Sequence, residues 1–231
     1  MRKTTLWRRT AAACLAGTAA AGANVAAAND ASRWDGDARS AVRVIGGSRP
    51  AGMSGPLRAG IEMRLRTGWH TYWRYPGDSG VPPQFDFSGS RNVSAVDVLW
   101  PAPRRIAEAG QVSIGYLAGP VFPLRIVPQD ASQPVMLRVK VDYAICEKLC
   151  VPAEGRGELT VPAAGTSQDR ALAAAAGKIP KPRALGEGAP LAIKSVHVDR
   201  TSGRPRAIVD VVAPADGIGT AQERIVGQRT L

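Results

Sequence analysis

Cysteine and histidine are scarce in this chain. Its 231 residues hold three cysteines, Cys14, Cys146 and Cys150, and two histidines, His70 and His197. A closed zinc site needs four Cys or His ligands, and no second closely spaced cysteine pair exists to supply them. A Ser-His-Asp constellation needs a histidine placed by the fold. The one stretch that hints at a nucleophile, "YPGDSG" with Asp78 and Ser79, is bracketed by proline and glycine and reads as a turn. Long apolar runs are also missing. The only extended one, "AAACLAGTAAAGANVAAA", is too short and too Ala-rich to span a bilayer. Basic residues are in excess, with a formal charge of +11, but beyond the N-terminus they are scattered among acids. Without a basic run or a basic amphipathic helix, a nucleic-acid partner is not expected. No phosphate-cradling loop, dinucleotide fingerprint or internal repeat is present, so neither a small-molecule cofactor nor a resident metal is expected.

The N-terminus decides how the cysteines are counted. "MRKTTLWRRT" carries Arg2, Lys3, Arg8 and Arg9 and no acid, and the Ala-rich run comes directly after it. Small residues at Ala26 to Ala28 precede Asn29. A basic start, a short apolar stretch and a small-residue exit are the layout of an export signal, residues 1–28. Its removal takes away four basic residues and no acid, so the charge falls to +7 over the remaining 203 residues. It also removes Cys14, which has no apolar stretch ahead of it and does not read as a lipid-anchor cysteine. The exported chain then carries one cysteine pair into an oxidising compartment, where two close thiols can join.

Period-two alternation dominates the exported chain. In "LRAGIEMRLR", Leu57, Ala59, Ile61, Met63 and Leu65 point one way, while Arg58, Glu62, Arg64 and Arg66 point the other. Similar short runs are "AVRVIG" (41–46), "WHTYW" (69–73), "PQFDF" (83–87), "SAVDVLW" (94–100), "VFPLRIV" (121–127), "VMLRVKVDYAI" (135–145) and "GELTV" (157–161). Pro- and Gly-rich breaks at 75–83 and 100–105 separate them. About eight such strands predict an all-β, immunoglobulin-like antiparallel β-sandwich over residues 29–162. Trp34, Trp69, Trp73 and Trp100 are candidates for its core. Residues 163–190 are rich in Ala, Gly and Pro and read as a connector with a short helix through "RALAAAAG", capped by Ser167 or Asp169. Residues 191–231 begin with a C-terminal β-hairpin, "LAIKSVHVD" and "RAIVDVV", and end in a stretch with no clear strand. They read as an incomplete second module. A lone hairpin is only marginally stable in water.

The chemistry sits in "YAICEKLCVPAEG", Tyr143 to Gly155. A disulfide needs Cα atoms about 4.4 to 6.8 Å apart, whereas four residues of extended strand span about 13 Å. The chain must therefore turn back between Cys146 and Cys150. Closing so short a loop stabilises the fold by only about 2 kcal/mol in the loop-entropy account. A staple of such small value is a better candidate for an exchangeable bond, made and broken by thiolate attack. Lys148 favours a nearby thiolate and Glu147 opposes it. Two alternatives stay open from the residues alone. One is a non-catalytic protein-binding domain with a passive loop clip. The other is a Cu(I)-handling module using both thiolates with help from Met63 or His70.

Tyr143-x-x-Cys146-x3-Cys150-x-Pro152-x-Glu154 resembles the redox signature of the N-terminal periplasmic domain of DsbD, the thiol:disulfide interchange protein. With "GWHTYWRYPGDSGVPPQFDFSGS", "VLWPAPRR" and "GYLAGPVFPLRI", the span from about residue 40 to 162 is similar to the DsbD-like and ScsB-like family. The resemblance implies an immunoglobulin-like fold with the cysteines on neighbouring strands at one end. It implies a periplasmic, protein-disulfide reductase-like electron carrier. A membrane-embedded thiol reductase would be the donor, and periplasmic thioredoxin-like proteins, such as disulfide isomerases or cytochrome c maturation factors, the acceptors. It implies Cys150 as the sulfur that engages partners, and a cap loop matching "SIGYLAG", with Tyr116 as the shield. Tyr72 and His70 match aromatic positions beside the pair, and Tyr143, Pro152 and Glu154 match the flanks of the motif. The chain departs from the DsbD pattern in having three residues, not five, between the cysteines, and in lacking acidic residues in "SIGYLAG".

Overall fold

A computed structural model describes residues 29–49, 55–77, 80–108, 110–162, 165, 167–188, 192–201 and 205–212. The expected export signal, the turn residues Asp78 and Ser79, and the tail after Val212 lie outside the described residues. In chain order the strands are β1 (Asp35–Gly36), β2 (Ser40–Gly46), β3 (Leu57–Leu65), β4 (His70–Gly77), β5 (Gln84–Asp86), β6 (Val93–Val98), β7 (Arg104–Glu108), β8 (Gln111–Tyr116), β9 (Val121–Pro128), β10 (Val135–Cys146), β11 (Cys150–Val161), β12 (Ala192–Asp199) and β13 (Arg206–Val212). Among the described residues the single helix, α1, spans Asp169–Ala176.

Two antiparallel sheets make the sandwich. One runs β1-β2-β3-β9-β6, the other β11-β10-β4-β8-β7 with β5 also paired to β10. Alternation decides which side chains meet between them. Val42 and Val44 of β2, Leu57, Ala59, Ile61 and Met63 of β3, and Phe122, Leu124 and Ile126 of β9 are buried from one sheet. Val135, Leu137, Val139, Val141, Tyr143 and Ile145 of β10 meet them from the other. Phe122 is buried with Phe85, Trp100 and Tyr116 packed edge-on around it, at centroid distances of 5.4, 5.1 and 5.6 Å. Such T-shaped pairs add to plain area burial. Trp100 thus serves the core. Trp34 is instead absent from it, with the guanidinium groups of Arg43 and Arg64 over its ring at 4.5 and 5.1 Å.

Four features differ from the sequence expectation. The stretch 104–116 forms the hairpin β7–β8, where a break and a loop are expected. β8 holds Ser113 and Gly115 in place of good strand formers. Tertiary crowding dictates Gly115, since a Cβ there would lie 2.1 Å from the Thr71 carbonyl oxygen. β11 starts at Cys150 and not at Gly157, because its whole length pairs with β10. The connector helix packs on the β3 and β9 sheet, with Leu172 buried. Its Asp169 does not cap it. That carboxylate accepts hydrogen bonds from the backbone N–H and the hydroxyl of Ser48, pinning the helix to the end of β2.

β12 and β13 form a separate two-stranded sheet. Val196 pairs with Val209 and Val198 with Ala207, and the irregularity between Ile193 and Ser195 returns Ile193 to the same face opposite Val211. One face of the hairpin is therefore wholly apolar, and Val196 (51 %) and Val211 (50 %) are half exposed. The other face carries Ser195 bonded to Asp210. Among the described residues no helix is long and apolar enough to cross a membrane.

Candidate functional site

Cys146 is the last residue of β10 and Cys150 the first of β11. The two are directly opposed in the ladder, joined by a disulfide, with Cα atoms 4.1 Å apart. Glu147, Lys148 and Leu149 form the three-residue turn, and all three are exposed. The chain turns back between the cysteines, as their spacing requires, and the turn lies at the end of β11, an edge strand of its sheet. The two cysteines differ sharply in exposure. Cys146 is 1 % exposed, whereas Cys150 is exposed.

The neighbours of the pair are set by the pleat. Side chains directly opposite on adjacent strands share a face, and residues two apart on one strand share it too. His70 of β4 is the partner of Cys146, so His70 and Tyr72 stand on the cysteine face. Tyr72, Ala144 and Cys146 form a small buried cluster of their own, apart from the main core. The Tyr72 hydroxyl donates to Cys146 Sγ at 2.8 Å and lies 3.1 Å from Cys150 Sγ. Tyr72 itself is fully buried. His70, also buried, sets its ring edge-on to Tyr72 at 5.4 Å. Thr71, on the opposite face, donates its hydroxyl to the Ala144 carbonyl and ties β4 to the end of β10.

A further residue, absent from the sequence expectation, covers Tyr72. Gly80 has φ +116°, and a Cβ on it would stand 2.4 Å from two carbons of the Tyr72 ring. Only a glycine backbone can approach the ring so closely in that conformation. The cover over the Tyr72 ring thus comes from Gly80, the last residue of "YPGDSG". The one available signal was the two glycines flanking Asp78 and Ser79, which read as turn chemistry alone.

The same pleat corrects two expectations. Tyr143 is three residues from Cys146, so it points to the other side of β10. Its hydroxyl donates to Ser40 Oγ at 2.9 Å, and burial raises its pKa above the ordinary tyrosine value. Tyr116 pairs with Thr71 and likewise turns into the core. Its hydroxyl donates to the Pro101 carbonyl at 2.9 Å, and burial pushes its pKa far up. Neither ring lines the disulfide, and Ser113 to Tyr116 is strand, not a cap loop. Pro152 and Glu154 do share the cysteine face. Pro152 sits opposite Ala144, where an edge strand tolerates the lost donor. Glu154 lies two pairs farther along, in ion pairs with Lys140 at 3.1 Å and Arg156 at 2.7 Å. It belongs to a charge ladder, not to the sulfurs.

A groove of about 1120 Å³ opens along that ladder, lined by Trp34, Asp86, Arg138, Lys140, Arg156 and Glu158 among others. It includes neither cysteine, and Arg138 is paired with Glu158. Among the described residues no group of three or more His, Cys, Asp or Glu could hold a metal ion.

Comparison with known proteins agrees with this geometry. Residues 49–162 match the family model of the N-terminal region of the thiol:disulfide interchange protein DsbD. This segment is similar to the DsbD N-terminal domain. The bonded pair Cys146–Cys150 falls inside it, and together they support a thiol–disulfide exchange domain. Among solved structures, the N-terminal periplasmic domain of ScsB from Proteus mirabilis superposes with a TM-score of 0.55 at 19 % identity, covering 83 % of this chain and 89 % of that one. That likeness shows the fold, an immunoglobulin-like sandwich. No curated protein is similar enough in sequence to be matched.

Proposed function

We propose that this chain is a periplasmic electron carrier whose Cys146–Cys150 disulfide is reduced by a membrane-embedded thiol reductase and reoxidised by thioredoxin-like proteins. Residues 1–28 act as its export signal. Cys150 is the sulfur that partners engage. The asymmetry of the pair carries this reading: Cys150 is exposed at the tip of an edge strand, while Cys146 is 1 % exposed. Thiolate attack needs a line of approach along the S–S axis, and only one of the two sulfurs offers it to a protein-sized nucleophile.

Single-cysteine variants test this. Cys146→Ser should capture a thioredoxin-like acceptor as a stable mixed disulfide through Cys150, and Cys150→Ser should not. A reduction potential well below about −300 mV would place the bond among purely structural disulfides and overturn the proposal in favour of a passive clip.

A further inference from the structure

The exposed sulfur explains where attack begins, but the harder half of exchange occurs at the buried one. When a thiolate attacks Cys150 Sγ, the electron pair of the broken bond goes to Cys146 Sγ. That atom is nearly inaccessible to water. A thiolate forming in an apolar site is costly, because burial disfavours the charged form. Exchange also slows as the leaving thiol becomes more basic. An unassisted Cys146 would therefore be a poor leaving group.

We propose that Tyr72 is a catalytic residue of this exchange, its hydroxyl stabilising the thiolate on Cys146 as that sulfur leaves. The inference rests on the exchange reading above. The hydroxyl already stands 2.8 Å from Cys146 Sγ before any charge develops. It has no freedom to wander: the ring is fully buried, held edge-on by His70 and covered by Gly80. A donor fixed in a dry site where charge will appear is worth more than the same donor in water, since nothing must reorganise.

The step balances without another reagent. A thiolate of a reduced dithiol protein forms a bond to Cys150 Sγ, and the Cys150–Cys146 bond breaks. Cys146 leaves as a thiolate hydrogen-bonded to Tyr72, which keeps its proton. The partner's second thiol, its proton given to water, then attacks the partner's own sulfur and releases Cys150 as a thiolate into solvent. Two electrons have moved to the pair, and the partner carries the disulfide. In the outward direction Cys150 attacks an acceptor disulfide. The Cys146 thiolate, stabilised by the same hydroxyl as its proton passes to water, then attacks Cys150 Sγ and frees the acceptor.

The test is Tyr72→Phe in the full chain, with dithiothreitol as the reductant. Reduction should slow by about tenfold, the loss of one charge-assisted hydrogen bond. In the reduced protein the titration of thiolate absorbance should shift to higher pH, a change that loosened packing alone would not produce in concert with a slower rate. Reduction at the wild-type rate or faster, with an unmoved thiolate titration, would overturn the proposal. A fluorinated tyrosine at position 72 keeps the ring and strengthens the donor, so it remains informative if Tyr72→Phe does not fold. It should speed reduction and lower the thiol titration, and no change would again overturn the role. Mixed-disulfide capture through Cys150 does not depend on these outcomes, so failure of Tyr72 and failure of the exchange reading are told apart.

Discussion

Cys146 and Cys150 face each other across the first rung of the β10–β11 ladder, one sealed from water and the other open to it. Chemical labelling should read this difference directly. In the reduced protein at neutral pH, iodoacetamide should alkylate Cys150 faster than Cys146 by about an order of magnitude, since thiol reactivity tracks exposure and ionisation. Peptide mass analysis after a short pulse gives the ratio, and equal labelling would contradict the asymmetry.

The bond itself should matter little to the fold. A double variant, Cys146→Ser with Cys150→Ser, should unfold with a stability lower by only about 2 kcal/mol, the value of a short closed loop. Urea titration of both proteins measures the difference. The sandwich core, from Val42 through Phe122 to Val141, contains no contribution from the disulfide.

Gly80→Ala should be far more damaging than a loop substitution usually is. It places a methyl group against the Tyr72 ring and forces an L-residue to a φ of +116°. Strain of this kind costs about 1 to 3 kcal/mol. The variant should melt earlier, and its disulfide should change reactivity toward dithiothreitol because the hydroxyl of Tyr72 moves with the ring.

Two tyrosines set an alkaline limit. Burial raises the pKa of both Tyr116 and Tyr143 above the ordinary value of 10.0. In the unfolded chain they ionise near pH 10, while in the folded chain they hold their protons. The native state then binds more protons than the unfolded one, so stability is complete below about pH 10 and falls as pH rises beyond it. Ultraviolet titration of tyrosinate should show these two groups ionising late, together with unfolding. Tyr143→Phe should remove part of the alkaline loss.

The C-terminal hairpin should be the softest described part of the chain. All seven residues of β13 are exposed, and two strands alone are marginal in water. Amide hydrogen exchange in β12 and β13 should be faster by orders of magnitude than in the centre of β10, as local opening free energies are near zero there. Protection equal to that of β10 would mean that its apolar face is covered in solution.

Several features were legible because they are local. The alternation of Leu57 to Arg66 is a property of the strand itself, and so is the hairpin from 192 to 212. The turn between the cysteines is dictated by bond lengths, since four extended residues cannot bring two sulfurs together. The β7–β8 hairpin was not legible, because Gly115 is demanded by the Thr71 carbonyl on a neighbouring strand and weakens the strand signal in its own sequence.

By itself the sequence determined a run of short β-strands and a short-loop cysteine pair that must turn back on itself; Tyr72 and His70 entered as neighbours of that pair only through the family resemblance. Only the tertiary structure decided which tyrosines touch the sulfurs. Side chains alternate across a sheet, so a shift of one residue moves a ring from one face to the other. Tyr143, close to Cys146 in sequence, is sent into the core. Tyr72, distant by 74 positions, is brought to 2.8 Å from Cys146 Sγ by the pairing of β4 with β10.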